Sequence, residues 1–175
     1  KPVYKGGGTV NLNSTTSDYT GSTLIYNGLI NVNAEKAFGA TNGATTVYYS
    51  DAAYQNTLKV TFNGVTTDEN FTLDTYMRTE KATTTSVYFP ADTVTTFNGS
   101  VNFSDAVYHT VGSGAKVIFN GSCIIRNPSY AFTAPAEVVY NGAGSQLSAD
   151  YCGGSGIVRY RTPITVTGSD PWVRI

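Results

Sequence analysis

Apolar and polar residues alternate in short runs along the chain. Thr9-Val10-Asn11-Leu12-Asn13, Leu29-Ile30-Asn31-Val32-Asn33, Leu58-Lys59-Val60-Thr61-Phe62 and Ser100-Val101-Asn102-Phe103 each place every second side chain on one face. A period of two belongs to the half-buried β-strand, with one dry and one wet side. Helical spacing is nearly missing: the stretch from Asn33 to Ala40 holds a few helix formers but is too short for more than one or two turns. The pattern predicts an all-β chain.

The punctuation between these runs narrows the architecture. Asn-Gly occurs at 27-28, 42-43, 63-64, 98-99, 120-121 and 141-142, and Tyr26, Phe62, Phe97, Phe119 and Tyr140 stand directly before five of these pairs. Asn-Gly accepts positive φ, so a sharp corner there is inexpensive. In a meander such pairs close hairpins; in a solenoid they turn the corner between consecutive strands of one coil. From Asn27 the aromatic-Asn-Gly anchors recur after 36, 35, 22 and 21 residues. Hairpins have no reason to keep such a period. A coil that cannot bury its own inner face must stack on a neighbour of similar length, which enforces a repeat of about 20 to 25 residues. The predicted fold is a parallel β-helix (β-solenoid) forming one domain over residues 1–175. The two longer intervals then hold either a coil plus an insertion or two shorter coils whose anchor has decayed.

Residues 6 to 48 carry a resemblance. Gly7-Gly8-Thr9, Leu12, Tyr19-Thr20-Gly21, Thr23, Gly28, Ile30, Val32 and Ala37-Phe38-Gly39 follow one another in an order that resembles the autotransporter-associated β-strand repeat, also called the passenger-associated transport repeat, with Phe38 in place of Leu. This resemblance covers about a quarter of the chain. It implies a right-handed parallel β-helix in a large exported bacterial protein, of the kind used in adhesins and multimodular surface or polysaccharide-acting proteins. The later repeats are degenerate.

Composition changes the picture chiefly by exclusion. Charged residues make up 13% of the 175 positions and the net charge is -1, which supplies no electrostatic footprint for nucleic acid or an anionic membrane surface. No apolar run approaches the roughly 20 residues of a membrane span. Abundant Thr, Gly, Asn and Tyr suit the exposed strands and turns of a secreted or cell-surface protein. The chain begins in mid-pattern, as expected of a piece of a longer, multimodular polypeptide whose adjacent domains would cover the open strand edges of a solenoid. Cys123 and Cys152 fit either one disulfide or two buried thiols. They lie three residues after Asn120 and eleven after Asn141, out of phase, which leans toward free thiols.

Candidate chemistry is thin. His109 has no GxSxG, HExxH or second histidine beside it, and reads as a surface residue at a strand end. Asp68, Glu69, Asn70 and Asp74 gather hard oxygen ligands for calcium or, more simply, a solvated turn. The acidic residues offer no distinguishable pair for glycosidic cleavage. No cofactor or metal is expected, and no catalytic residue. Binding has more to work with. Tyr108, Tyr130, Tyr151 and Trp172 belong to an aromatic surplus that narrow coils cannot swallow, and exposed rings either stack on sugar C-H faces or merely cover the outer sheets. In Gly156 to Pro163, alternation puts Arg159 and Arg161 on one face, about 6.6 Å apart, opposite Val158 and Tyr160. Two guanidinium forks there would grip the carboxylates or sulfates of an acidic glycan, or form a soluble outer face. The expected function is a non-catalytic module for a polysaccharide or host glycan, with a purely structural stalk as the alternative and a polysaccharide lyase or hydrolase as a third class.

Overall fold

The computed structural model describes residues 3–4, 8–25, 28–40, 43–48, 58–74, 85–103, 108–126, 129–132, 135–148, 152–154 and 156–166. Its first strands are β1 (Val3–Tyr4), β2 (Thr9–Leu12), β3 (Thr23–Ile25), β4 (Leu29–Val32), β5 (Ala44–Tyr48) and β6 (Leu58–Phe62). They alternate between two sheets. From there each coil carries three strands. The next are β7 (Thr66–Thr67), β8 (Asn70–Asp74), β9 (Thr85–Phe89), β10 (Val94–Phe97), β11 (Val101–Asn102), β12 (Tyr108–Val111) and β13 (Lys116–Phe119). They are followed by β14 (Cys123–Arg126), β15 (Ser129–Phe132), β16 (Glu137–Tyr140), β17 (Gln146–Ser148), β18 (Cys152–Gly154), β19 (Ile157–Tyr160) and β20 (Thr165–Val166).

Among the described residues these strands form an eight-stranded sheet (β1-β3-β5-β8-β11-β14-β17-β20), a seven-stranded sheet (β18-β15-β12-β9-β6-β4-β2) and a five-stranded sheet (β19-β16-β13-β10-β7). Every pairing is parallel. The chain is therefore a parallel β-solenoid, as its alternation and period predict. No helix is present among the described residues, and the stretch 34–38 forms only turns, closed by Ala37 N–H to Ala34 O and Gly39 N–H to Lys36 O.

Register shows where the anchors sit. Phe97, Phe119, Tyr140 and Tyr160 are successive partners in the five-stranded sheet, so Asn98, Asn120 and Asn141 stack at one corner. Asn63-Gly64 instead follows β6 of the seven-stranded sheet, and Gly28 precedes β4. The long intervals of 36 and 35 thus run between different corners, and the coils they cross are also longer: the step is 30 residues from Leu29 to Lys59 and from Phe71 to Val101, against 22 from Val101 to Cys123, which fits a coil plus an insertion rather than two shorter coils. The in-phase residue below Asn98 is Asp68, 30 residues earlier.

The glycines of these corners have two separate causes. After the seven-stranded sheet the chain turns through positive φ at Gly64 (67°), Asp92 (57°) and Gly114 (71°), a conformation that Gly adopts freely and Asp tolerates. At Gly99, Gly121 and Gly142 the need is room. A Cβ on any of them would run into the backbone carbonyl one coil below, that of Glu69, Gly99 and Gly121 respectively.

The lumen is filled by the inward half of each alternation. Phe62, Phe71, Phe97, Phe103 and Phe119 are fully buried and meet edge-to-face or stacked, with Phe97–Phe119 centroids 5.2 Å apart at 8°. Tyr140 continues that stack at 5.3 Å and 13°, and Tyr160 follows at 5.5 Å and 12°. Offset rings at this spacing add to the area they bury. In the first coils, Tyr19 and Gly39 form a joint: the Tyr19 hydroxyl hydrogen-bonds with Thr23 Oγ1 at 3.0 Å, and Ala40 N–H donates to Tyr19 O at 2.9 Å. A Cβ on Gly39 would meet the Tyr19 ring at 2.7 Å.

Candidate ligand-binding face

The outward residues of the five-stranded sheet and of the corner after it make the most site-like surface. At the corner an amide ladder runs along the solenoid. Asn141 Nδ2 donates to Asn120 Oδ1 at 2.8 Å, Asn120 Nδ2 to Asn98 Oδ1 at 2.7 Å, and Asn98 Nδ2 to Asp68 Oδ1 at 2.7 Å. All donors point the same way, and the last acceptor is a carboxylate, which makes the stronger hydrogen bond. Beside this column, Ser122 Oγ donates to Ser100 Oγ at 3.1 Å, and Ser100 N–H to Asn70 Oδ1 at 2.8 Å. A second ladder joins Asn63, Asn33 and Asn13 at the corner after the seven-stranded sheet.

Arg159 and Arg161 lie at the same end of this face. β19 alternates as the sequence predicts, with Ile157 and Arg159 exposed and Val158 and Tyr160 half-buried. The two arginines part company in their partners. Arg159 Nε donates to Glu137 Oε1, and Glu137 Oε2 also receives Lys116 Nζ at 3.4 Å. The Arg159 hydrogen bond, with Lys116 beside it, holds the Glu137 carboxyl below the usual glutamate value, against a smaller opposing effect of burial. Arg161 donates its backbone N–H to Tyr140 O at 2.9 Å, which sets it in the corner column directly after Asn141. Its side chain is exposed, and no carboxylate among the described residues pairs with it.

The other predicted binding residues do not join this face. Tyr108 and Tyr130 belong to β12 and β15 of the seven-stranded sheet, and occupy different columns there: Tyr108 is in register with Ser86 and Ser129, Tyr130 with His109. Tyr151 and Trp172 lie outside the described residues. On the outer side of the same sheet, Lys59 Nζ sits 4.5 Å from the centre of the Tyr88 ring.

His109 is a correction. It is 1% exposed, packed 5.4 Å from the Phe103 ring, and burial lowers its pKa from 6.5 to about 3. It sits inside because it shares the inward phase of Val111, and phase outranks polarity in so short a strand. The carboxylates read as calcium ligands or, more simply, as a solvated turn diverge: Asp68 is exposed on the ladder, whereas Glu69 is 1% exposed inside the corner and so not solvated; for Asp74 only the backbone is described. No group of three metal-ligating side chains occurs among the described residues. Cys123 is a free, fully buried thiol whose pKa burial pushes well up. It lies on β14 of the eight-stranded sheet and Cys152 on β18 of the seven-stranded one.

Sequence reasoning missed the ladder and the burial of Glu69. The signal for the ladder was the Asn of each Asn-Gly, read only as a corner marker. For Glu69 it was the shared parity of Thr67, Glu69 and Phe71, all three of them buried. No protein-family profile, curated protein or solved structure matches the chain.

Proposed function

We propose that this solenoid is a non-catalytic binding module of an exported bacterial surface or secreted protein, and that its ligand is a polysaccharide. The observation that carries the reading is the corner column Asn98, Asn120, Asn141, Arg161, exposed except at the half-buried Asn141. Coils stack about 4.8 Å apart, so the column repeats amide groups at a step close to the size of one sugar ring. Asn98 and Asn120 each spend one donor and one lone pair on their neighbours and Asn141 one donor, leaving others for a ligand. Arg161 adds a planar fork for a carboxylate or sulfate at one end. Arg159 is tied to Glu137, so the pair of arginines offers one available fork. The one histidine is a neutral core residue, which fits a module without acid–base chemistry. Glycan arrays and calorimetry with neutral, uronic-acid and sulfated polysaccharides test the reading. Binding that weakens at least tenfold in Arg161→Ala supports it; no binding to any of them defeats it.

A second reading is a structural stalk in an autotransporter-like passenger, holding another domain away from the cell. It is favoured by the axial ties on both sides of the backbone: amide ladders outside and the ring stack from Phe97 to Tyr160 inside. The joint between Tyr19 and Gly39 supports the same kinship, because it brings together the Tyr-Thr-Gly and Ala-Phe-Gly elements on which the resemblance rests. A module that binds no glycan yet resists forced extension as one unit fits the stalk.

A further inference from the structure

Glu69 occupies a place that glycine holds in the neighbouring coils. Register sets Gly43 beneath it and Gly99 above it, with Gly121 and Gly142 following in the same column. Its side chain points into the corner, following the alternation in which Thr66, Asp68 and Asn70 are exposed and Thr67, Glu69 and Phe71 buried. It is 1% exposed, and neither carboxyl oxygen has a hydrogen-bond partner. An isolated carboxylate in such a place is costly, so the folded corner holds the neutral acid. The location matters as well. β7, two residues before Glu69, is the edge strand of the five-stranded sheet, where the solenoid gains its third strand per coil. Its register pairs are to β10 alone.

We propose that Glu69 is a protonation-operated latch at the step where the third sheet begins. As the neutral acid it stays packed inside the corner. When it gives up its proton, the carboxylate withdraws to water, and β7 with the flanking corner detaches from β10 while the coils on either side hold.

Among the described residues, none near Glu69 would favour the ionised form. The residues above, Asn98, Gly99 and Ser100, and those below, Gly43 to Thr46, carry no charge. Asp68, its chain neighbour, has the same sign and faces outward to Asn98. The turn whose Phe38 packs on Phe71 bears Glu35 and Lys36, both exposed. His109, reached through Phe103, is buried and neutral. Burial accordingly raises the Glu69 pKa from 4.5 to about 7. The latched state binds the proton more tightly than the open one. Its advantage is complete below pH 4.5, falls about tenfold per pH unit above that, and is lost once pH passes 7.

Amide hydrogen exchange tests this, since Thr96 and Asn98 donate their backbone N–H groups to Val65 and Thr67, while Lys116 and Asn120 make the equivalent bonds one coil away, to Thr93 and Phe97. After correction for the intrinsic rate, the opening constant at Thr96 and Asn98 should rise about tenfold per unit between pH 4.5 and 7 in the native chain, and stay level in Glu69→Gln. Lys116 and Asn120 should show no such rise. A level profile in the native chain, or an equal rise at all four amides, overturns the latch. A carbon-detected titration of the Glu69 carboxyl needs no variant: a midpoint near 7 supports the proposal, and one near 4.5 overturns it.

Discussion

The side-chain amide of Asn120 donates to the carbonyl oxygen of Asn98 at 2.7 Å, across 22 residues of chain and a single step of the solenoid. Asn120 in turn accepts from Asn141. Replacing Asn120 by Ala removes two hydrogen bonds, each worth about 0.5–1.5 kcal/mol net. Because the freed groups remain exposed to water, the expected loss lies at the low end, about 1 kcal/mol. Urea denaturation checks it, and an unchanged midpoint would count against the ladder.

The glycines should separate by cause. Gly8 has open space around it and an ordinary φ, so Gly8→Ala should be neutral. Gly144 also has open space but sits at φ 77°, and Gly144→Ala should cost about 1–2 kcal/mol for the left-handed backbone. At Gly121 the obstacle is the carbonyl of Gly99, a backbone atom that cannot swing aside. Gly121→Ala should cost about 3 kcal/mol or more. Thermal melts of the three variants give the order directly.

His109 and Glu69 should tilt stability against pH in opposite directions. The folded chain keeps His109 neutral down to about pH 3, whereas the unfolded chain protonates it near 6.5. Its contribution is whole above 6.5 and drains away as pH falls toward 3. Glu69 drains between 4.5 and 7 as pH rises. Where the windows overlap, from 4.5 to 6.5, the two slopes cancel in the native chain. Glu69→Gln should expose the histidine slope, with stability rising with pH, and His109→Phe should expose the opposite one. Denaturant titrations at half-unit intervals of pH read both.

Cys123 should resist thiol reagents while the chain is folded. It is fully buried, its pKa is raised, and its N–H is held by Ser145 Oγ at 3.1 Å. Maleimide labelling mapped by peptide mass should reach Cys123 only at the rate of unfolding. Fast labelling in native buffer would contradict its place in the core.

The surface trio Lys116, Glu137 and Arg159 should matter little to folding. A double-mutant cycle on Glu137 and Arg159 should return under about 1 kcal/mol, shrinking with added salt. The Glu137 pKa is depressed, so this small contribution is present above pH 4.5 and fades as pH falls through the lowered value.

Much of the architecture was legible because the repeat is physical: Phe97, Phe119 and Tyr140 must stack, and Gly99, Gly121 and Gly142 must leave room for the coil below. The phase of Asn27 and Asn63 was not legible. The same dipeptide serves corners with positive φ and corners with close backbone approach, and only register tells them apart. His109, Tyr140 and Glu69 were hard to place for a related reason. In the four-residue strands of His109 and Tyr140, and in the short corner between β7 and β8 that holds Glu69, one polar side chain follows the parity of its neighbours inward, and the rings or glycines around it absorb the cost. The candidate face was half legible: Arg159 and Arg161 are both exposed, but Arg161 lies past the end of β19, in the corner, and the partner of Arg159, Glu137, is 22 residues away in sequence.

The account stands or falls on parallel stacking with a step of about 22 residues in the regular coils. Scalar couplings through hydrogen bonds, measured by NMR between amide nitrogens and carbonyl carbons, test it most directly. Coupling of Lys116 N to Thr93 C=O, Asn120 N to Phe97 C=O and Asn141 N to Phe119 C=O is the predicted result. Couplings that instead link residues at decreasing separations around a tight turn, the pattern of antiparallel hairpins, would contradict it.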